Sequence, residues 1–256
     1  MRWLIAMMMI LAAAMQCQAE LTILGEESPP GEYLDADGNP AGVTIVLVRD
    51  LLRRQGLTAT IRLLPWKRAY HMGLNNQNVI LLETTRTKER EDLFKWVGPI
   101  LVVKRIIYGM SDYKGTIEKI GDLDGAGKIC VLRGSSNQSH LTELGLANVN
   151  PVAKPSQCLK MLEAKRLDLF YTSEIGMEGL LREQNMPLDS VKAILRLKKE
   201  YLYLAFSKDI DEAQITSWQQ ALEAAKADGS VEAIYRGAYS AETIREICLP
   251  GDPLAH

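Results

Sequence analysis

Arg90 is the side chain of this sequence that is best placed to bind an anion. It lies within residues 81–100, LLETTRTKEREDLFKWVGPI, where an apolar segment typical of a buried strand runs into a polar turn. Thr87 is a suitable N-cap because its hydroxyl can accept a backbone N–H, so the pattern predicts a short helix with Arg90 in its first turn. A guanidinium there can bind a carboxylate through two parallel hydrogen bonds, and free N–H groups at a helix start also favour anions. The alternative is an ordinary surface ion pair between Arg90 and a neighbouring glutamate.

The elements that must hold this turn alternate between strands and helices. Residues 43–56, VTIVLVRDLLRRQG, carry apolar side chains at helical spacing and end in glycine, as helices commonly do. Residues 58–65, TATIRLLP, alternate like a strand, and residues 66–75 are predicted to form the next helix. Strands that alternate with helices predict parallel sheets flanked by helices. The β-rich residues 95–110 are predicted to be two strands, joined where the chain crosses between two lobes.

The residues just after each predicted strand are the candidates for a binding site. Ligands of open parallel sheets bind outside the carboxyl ends of the strands, and clefts between two such units are favoured sites. In the first part of the chain these candidates are Glu26, Glu27, Ser28, Trp66, residues 83–87 and Arg90. In the second part they are residues 132–137 and 171–174.

Six segments follow one another in a recognisable order. They are ILGEESPPGEYLDADGNPAG from residue 23, VTIVLVRDLLRRQGL from 43, PWKRAYHMGLNNQNVILLE from 65, IGDLDGAGKICVLRGSSNQSHL from 120, MLEAKRLDLFYTSEIG from 161 and WQQALEAAKADGSVEAIYRGAY from 218. With the T-x-x-R motif before an aromatic residue and Gly-Pro, they resemble the family 3 bacterial extracellular solute-binding proteins. These are the periplasmic receptors of polar amino acid uptake systems. The resemblance covers about residues 21–239.

The resemblance implies a carboxylate-binding set with members in both lobes. The family's T-x-x-R arginine, which grips the ligand's carboxylate, falls on Arg90, and the hydroxyl residue upstream of it falls on Thr85. The family's G-[ST]-[ST] turn, which closes on the same carboxylate, falls on Gly134, Ser135 and Ser136. The alternative for the two serines is a simple helix N-cap.

Three further residues belong to the candidate ligand-facing set. Trp66 occupies a position where some members of the family stack an aromatic ring on the ligand. The alternative for Trp66 is a core tryptophan at a helix start. Tyr171 and Glu27 are included because they lie at the ends of predicted strands.

The ammonium-binding half of an amino acid site departs from the family pattern. The aspartate expected there is replaced by Ser173, which is followed by Glu174. Glu83 stands where a small residue is usual, and a buried carboxylate needs a cationic partner, which could be Arg68, Arg86 or the ligand's own amine. Of the two acids we favour Glu83, because Glu174 begins a helix whose positive end disfavours a bound cation.

The first nineteen residues, MRWLIAMMMILAAAMQCQA, predict a cleaved secretory signal peptide. They have a basic start, an apolar core and a small-residue exit. Cleavage after Ala19 leaves no stretch apolar enough to span a membrane, so we expect a soluble periplasmic protein. Cys17 leaves a lipoprotein as the alternative, although Met15 and Gln16 before it are not small.

Composition bounds the remaining possibilities. The chain has 30 Lys and Arg against 32 Asp and Glu, a net charge of −2, and no basic cluster, so no nucleic acid partner is expected. Cys130, Cys158 and Cys248 survive cleavage and permit one disulfide, but their spacing does not say which pair forms it. They match no zinc motif and the chain has 3 histidines, so we expect no metal site and no cofactor.

We therefore predict an α/β protein with a two-lobed, periplasmic-binding-protein-like fold. Each lobe is a mostly parallel sheet flanked by helices, and two hinge crossings join the lobes. Lobe 1 comprises residues 20–103 and 206–256 and lobe 2 comprises residues 104–205, while the tail after Tyr239 has no assigned structure.

The predicted function is closure over a small carboxylate-bearing solute, in a monomer that delivers it to the membrane permease of an ABC-type transporter. The ligand itself is not identified. One alternative is a sensory receptor for the same ligands. The other is a dehydratase on this scaffold, in which Glu83 or Glu174 acts as a general acid. No nucleophile–base pair is recognisable in the motifs, which favours a protein that is not an enzyme.

Overall fold

Most of the strands join into one mixed sheet in the computed structural model, which describes residues 20–249. The strands are β1 (Leu21–Gly25), β2 (Tyr33–Leu34), β3 (Pro40–Ala41), β4 (Ala59–Leu63), β5 (Val79–Thr85), β6 (Lys95–Met110), β7 (Ile129–Leu132), β8 (Val149–Val152), β9 (Leu169–Ser173) and β10 (Val191–Phe206). The sheet has eight strands in the order β4-β1-β5-β10-β6-β9-β7-β8, and β2 pairs with β3 separately. The predicted signal peptide, residues 1–19, lies outside the described residues.

The helices cover the two faces of this sheet. They are α1 (Val43–Gln55), α2 (Trp66–Asn75), α3 (Ser136–Glu143), α4 (Pro155–Glu163), α5 (Glu174–Glu183), α6 (Glu212–Ala227), α7 (Ser230–Tyr235) and α8 (Ala241–Ile247). The ends of α1 and α2 agree with the sequence prediction, and α1 stops at Gly56, whose φ of 65° suits a residue without a Cβ. No helix within residues 20–249 is both long enough and apolar enough to cross a membrane.

The two lobes share the long strands β6 and β10, which run antiparallel to each other through both. Lobe 1 is built around β1, β4 and β5, and β10 pairs with β5 from Leu202 to Phe206. Lobe 2 is built around β7, β8 and β9, and β6 pairs with β9 from Arg105 to Tyr108. The change of neighbour in β6 near Arg105 and in β10 before Leu202 marks the two crossings.

Two local sequence predictions are wrong. Residues 95–110 form one strand of 16 residues rather than two, because pairing with β10 continues past Pro99 with only shifts of register. The predicted helix at Thr87 does not form either. Arg90 donates its backbone N–H to Thr87 O in a tight turn, and a short 3₁₀ helix, Glu91–Leu93, follows. The chain must enter β6 directly afterwards, so too few residues remain for an α-helix.

Each lobe has its own apolar core. In lobe 1, Trp218 and Leu222 of α6 pack on the sheet together with residues of α1. In lobe 2, a disulfide between Cys130 of β7 and Cys158 of α4 lies inside the core, and Cys248 is a free thiol.

Residues 240–249, the described part of the tail after Tyr239, pack against lobe 1. The Ser240 hydroxyl caps α8 by accepting the N–H of Thr243 at 3.2 Å. Ile244 and Ile247 then enter the lobe 1 core. On the outer side of α8, Glu246 pairs with Lys199 at 2.7 Å, close to the crossing in β10.

Candidate functional site

A cleft of about 110 Å³ lies between the lobes at the carboxyl ends of their strands. The loop after β1, the end of β5, the loop after β7 and the end of β9 all contribute to its wall. Nine of the ten residues that the sequence suggested as ligand-facing line this cleft. They are Glu27, Trp66, Glu83, Thr85, Arg90, Ser135, Ser136, Tyr171 and Ser173. The tenth, Glu174, lies elsewhere.

Arg90 is buried at one end of the cleft and has no carboxylate beside it. The carbon of its guanidinium group lies 4.9 Å from the centre of the Tyr70 ring and 5.6 Å from that of Trp66. It donates long hydrogen bonds to Thr85 O at 3.4 Å and Gly134 O at 3.3 Å, and forms no ion pair with any residue in the range 20–249. Burial lowers the pKa of Arg90 below its ordinary value, as expected for an undercompensated buried cation.

The surface ion pair that was the alternative for Arg90 is made by Arg86 instead. Arg86 Nη2 lies 2.5 Å from Glu91 Oε1, and its guanidinium carbon lies 5.4 Å from the centre of the Tyr203 ring. Arg90 is therefore left facing the cleft.

Hydroxyl and aromatic groups complete this end of the cleft. The Trp66 ring N–H donates to Gly134 O at 2.9 Å and so joins the lobes. Ser136 Oγ donates to Thr85 Oγ1 at 3.4 Å, again across the cleft. Ser135 caps α3 by accepting the N–H of Gln138 at 3.3 Å, so the N-cap alternative describes that hydroxyl.

The end of β9 provides no acid to the cleft. Ser173 caps α5 by accepting the N–H of Gly176 at 3.0 Å. Tyr171 is buried in lobe 2, with its hydroxyl 3.1 Å from His140 Nδ1. Glu174 turns away from the cleft, and its carboxylate oxygens lie 3.8 Å from Lys104 Nζ and 3.7 Å from Arg196 Nη1. The outward direction of the first side chain of α5 explains why Glu174 does not line the cleft.

Glu83 lines the other end of the cleft in an unusual backbone conformation. Its φ is 39°, a region that residues with a Cβ rarely adopt and that costs roughly 1–3 kcal/mol. Its carboxylate accepts a hydrogen bond from the Thr44 hydroxyl. The two cations suggested as partners from the sequence are elsewhere: Arg68 is exposed and Arg86 pairs with Glu91.

Two more glutamates lie at the same end. The sequence marked Glu26 as a candidate after the first strand but did not place it in the final ligand-facing set, and Glu32 was not a candidate. Glu26 follows β1, and Glu32 lies beyond the turn that starts at Ser28. Burial raises the pKa of Glu26 to about 8 and that of Glu83 to about 7, and raises that of Glu32 well above its ordinary value. Neighbouring carboxylates add to the effect at Glu26 and Glu32.

Arg105 is the cation nearest to these acids, and sequence reasoning missed it as well. Its Nε donates to Glu200 Oε2 at 2.7 Å, and its Nη2 donates to Thr85 Oγ1 at 3.0 Å. The positive charge of Arg105 lowers the pKa of Glu26 and Glu83, but less than burial raises it. A signal was present, because Lys104 and Arg105 interrupt an apolar strand.

The donor set does not suggest a metal centre. No group of three or more histidine, cysteine, aspartate or glutamate side chains able to hold a metal ion occurs among the described residues. The cleft has carboxylates at one end and arginine, aromatic rings and hydroxyls at the other. This arrangement suits an organic ligand that carries one negative and one positive group.

Two α/β lobes joined by two crossing strands around a cleft define a periplasmic-binding-protein fold of type II. Within that class, the chain belongs to the bacterial extracellular solute-binding proteins, family 3, whose model matches residues 21–240. The resemblance recognised in the sequence is thus confirmed.

Solved structures agree on the fold. A histidine kinase sensor domain with similarity to periplasmic binding proteins has a TM-score of 0.77 at 21% identity, with 84% of this chain and 94% of that chain covered. An ancestral arginine-binding protein bound to arginine has a TM-score of 0.77 at 20% identity, with coverages of 87% and 99%. A substrate-binding protein of an ABC uptake transporter from Streptococcus pneumoniae, with bound histidine, has a TM-score of 0.76 at 16% identity, with coverages of 86% and 92%. At these identities the similarity establishes the fold alone. Among curated proteins there is no significant match.

Proposed function

We propose that this protein is a periplasmic receptor that closes over a small carboxylate-bearing solute, an amino acid or a related compound, and delivers it to an ABC-type permease. Arg90, Thr85 and Ser136 hold the carboxylate, and Trp66 encloses it. Family membership supports solute binding, and the arginine and histidine bound by proteins of the same fold support amino acids as the ligand class.

The proposal rests mainly on Arg90, which is buried beside the cleft and has no carboxylate partner within residues 20–249. A buried guanidinium that lacks a carboxylate partner is costly, and its planar donors match a carboxylate in two parallel bonds. The rings of Tyr70 and Trp66 fix its orientation while leaving the side towards the cleft open to a ligand. A ligand carboxylate would supply the missing charge.

The mechanism that we propose is movement of two lobes about the crossings in β6 and β10. We assign residues 20–103 and 206–256 to lobe 1 and residues 104–205 to lobe 2, with the short segment of β10 that pairs with β5 at the boundary. The contacts of Gly134 with Trp66 and Arg90 join the lobes at one side of the cleft. A protein of this kind works as a monomer, reaches the periplasm by means of the signal peptide in residues 1–19, and has no need of a cofactor.

A sensory receptor with the same site is the second form of this function. The similarity to a histidine kinase sensor domain is the observation that favours it. Both roles require closure driven by the ligand, so the cleft does not distinguish them. A permease gene and an ATPase gene beside this one would support uptake, and their absence together with a neighbouring sensor kinase gene would support sensing.

An acid–base enzyme is the third candidate, since Glu83 and Glu26 have raised pKa values inside the cleft. We propose a binding protein rather than an enzyme, because no nucleophile–base pair lines the cleft within the described part of the chain. Consumption of a bound ligand during prolonged incubation would overturn this choice.

A thermal-shift screen against amino acids, small peptides and organic acids tests the proposal. A ligand that binds only the native state raises the melting temperature. At a free ligand concentration of a hundred times Kd, the free energy of unfolding rises by about 2.7 kcal/mol. We expect carboxylate-bearing compounds to stabilise the protein and their amides to lose the effect. Stabilisation by the amides equal to that by the acids would contradict the role of Arg90.

Small-angle scattering tests the closure. A ligand shifts a conformational equilibrium only by its difference in affinity between the two states, and the proposed ligand contacts both lobes. The radius of gyration should therefore fall when a stabilising ligand is added. Binding without compaction would contradict closure driven by the ligand.

A further inference from the structure

The end of the cleft opposite Arg90 is an acidic chamber formed by Glu26, Glu32 and Glu83. Gly25 and Gly31, which have no side chains, leave the space for this chamber. A Cβ on Gly25 would lie 1.6 Å from Glu32 Oε2, and a Cβ on Gly31 would lie 2.0 Å from Glu83 Oε1. Two glycines thus admit two carboxyl groups to positions that any other residue would fill.

The chamber has too few partners for its carboxyl groups. Glu32 is 1% exposed, and its Oε2 has no hydrogen-bond partner among residues 20–249. The buried hydroxyl of Tyr239, which also lines the cleft, finds no partner of normal geometry either. Buried polar groups are rarely left in this state, so an unsatisfied group at a cavity calls for an occupant.

Within residues 20–249, the cation whose charge acts on Glu26 and Glu83, Arg105, is not free to fill the chamber. Arg105 is held by Glu200 and by Thr85, with hydrogen bonds of 2.7 and 3.0 Å. Burial therefore favours the protonated form of the chamber carboxyl groups when the cleft is empty, and it raises the pKa of Glu26 and of Glu83.

Resting on the proposed function, we infer that the acidic chamber binds a cationic nitrogen group at the far end of the ligand from the carboxylate that Arg90 holds. The ligand class is a small amino- or guanidino-carboxylic acid with its basic group at the end of a chain. An organic cation fits better than a metal ion, since no metal-binding group occurs in the described part of the chain.

The positions of the two ends favour a distal rather than an α-amino group. Thr85 lies against Arg90, whereas Glu83 is two residues back along β5, and Glu26 and Glu32 come after the neighbouring strand β1. An α-amino group lies next to its own carboxylate and stays near Thr85. Only a group further along the ligand chain reaches Glu26 and Glu32.

Four compounds with the same carbon chain allow the contributions of the carboxylate, the α-amine and the distal amine to be measured separately. Valerate carries only the carboxylate, norvaline adds the α-amine, δ-aminovalerate adds the distal amine, and ornithine carries both amines. We expect δ-aminovalerate to bind at least roughly tenfold more tightly than valerate, and ornithine more tightly than norvaline by a similar factor, as for a charge-assisted hydrogen bond.

Substitution of one chamber residue provides a second test of the inference. Glu32→Gln keeps the shape and should fold, because the carboxyl group that it replaces is already protonated in the empty protein. The preference for the compounds with a distal amine should fall roughly 10- to 100-fold. Glu174→Gln is the matched control, since that carboxylate lies outside the cleft and pairs with Lys104 and Arg196.

Calorimetry of ornithine in buffers of different ionisation enthalpy provides a third readout. A cation that ionises the chamber should release protons, while valerate should release almost none. If valerate and norvaline bind as tightly as their counterparts with a distal amine, the inference is overturned, while the proposal that Arg90 binds the ligand's carboxylate still stands. If Glu32→Gln leaves the preference unchanged, the inference is also overturned. If none of the four compounds binds, both proposals are contradicted: cation binding in the acidic chamber and carboxylate binding by Arg90.

Discussion

The two ends of the cleft differ in the sign of the charge that they leave unsatisfied. At one end Arg90 is a buried cation that is stacked on two aromatic rings and has no carboxylate partner within residues 20–249. At the other end Glu26, Glu32 and Glu83 are enclosed acids, and Arg105, the one cation of the described chain whose charge acts on Glu26 and Glu83, is held by Glu200. Burial acts on both ends in the same physical way, by disfavouring the charged form.

The difference shows how one fold can select a ligand of two opposite charges. Arginine cannot give up its proton under ordinary conditions, so the first end stays charged and must wait for an anion. Glutamate can take up a proton, so burial favours the neutral form of the second end when the cleft is empty, and a bound cation favours the charged form. We therefore expect the first end to give affinity at any pH at which the ligand's carboxylate is ionised, and the second end to respond to pH near neutrality.

Removal of Arg90 should have the largest effect on binding. Arg90→Ala should cost about 2–5 kcal/mol of binding free energy for any carboxylate-bearing ligand, as for truncation of one partner of a buried charge pair. The free energy of unfolding should change little, because no ion pair is lost in the empty protein. Isothermal titration calorimetry measures the first quantity and chemical denaturation the second.

The exposed Arg236→Ala is the control for that experiment, since its guanidinium pairs only with Glu232 on the surface. Equal affinities of Arg90→Ala and the parent protein would remove Arg90 from the site.

The loss of one acid at the other end should have a smaller and selective effect. Glu83→Gln should cost about 1.5–3 kcal/mol for a ligand with a distal amine, the range for hydrogen bonds to charged groups. A plain organic acid should bind as before. Competition calorimetry with one ligand of each type measures the difference, and a mutant that binds both as well as the parent would exclude Glu83 from recognition.

Between pH 5 and 9 the stability of the empty protein should vary with pH through the acidic end of the cleft and not through Arg90, which keeps its proton. The folded pKa values of Glu26 and Glu83, about 8 and about 7, lie above the ordinary value of 4.5. The folded state therefore binds more protons than the unfolded state between these values. Their contribution to stability is complete below pH 4.5 and is lost as the pH rises through 7 to 8, by up to about 1.4 kcal/mol per pH unit for each carboxyl group.

Urea denaturation between pH 5 and 9 measures this slope. In Glu26→Gln the slope should be shallower, because that side chain no longer titrates. A curve of unchanged slope in the mutant would mean that Glu26 is already ionised in the empty protein.

The smallest effect should come from Glu174, which the sequence offered as the rival of Glu83. Its ion pairs with Lys104 and Arg196 are partly exposed and longer than 3.5 Å, so they contribute roughly 0–1 kcal/mol to stability. Glu174→Gln should leave affinity unchanged in the same titrations. A loss of affinity as large as that of Glu83→Gln would reverse the choice between the two acids.

The sequence predicted most of the elements and selected Arg90, which lines the cleft, but it was wrong about the strand at residues 95–110 and the helix at Thr87. The helix Trp66–Asn75 and the strand β5 have local patterns, and Arg90 belongs to a motif of consecutive residues. The geometry around Arg90 was less predictable. A short apolar segment determines that a strand exists, whereas the turn after it depends on where Phe94 and β6 must go.

The acidic end could not be derived in the same way. Glu32 is surrounded in sequence by turn residues that look exposed, and it is buried because Gly25 is without a side chain. Arg105 meets Glu200 across two strands that are far apart in sequence. Such contacts depend on register between distant segments, which local spacing does not contain. The same holds for the pairing of Cys130 with Cys158.

We propose that one ligand joins the two ends of the cleft. A crystal structure of the protein with the compound that gives the largest thermal shift would show this. We expect the carboxylate of the ligand within hydrogen-bond distance of Arg90, and its basic nitrogen within hydrogen-bond distance of Glu26, Glu32 or Glu83. A ligand bound with its carboxylate away from Arg90, or outside the cleft, would contradict this proposal.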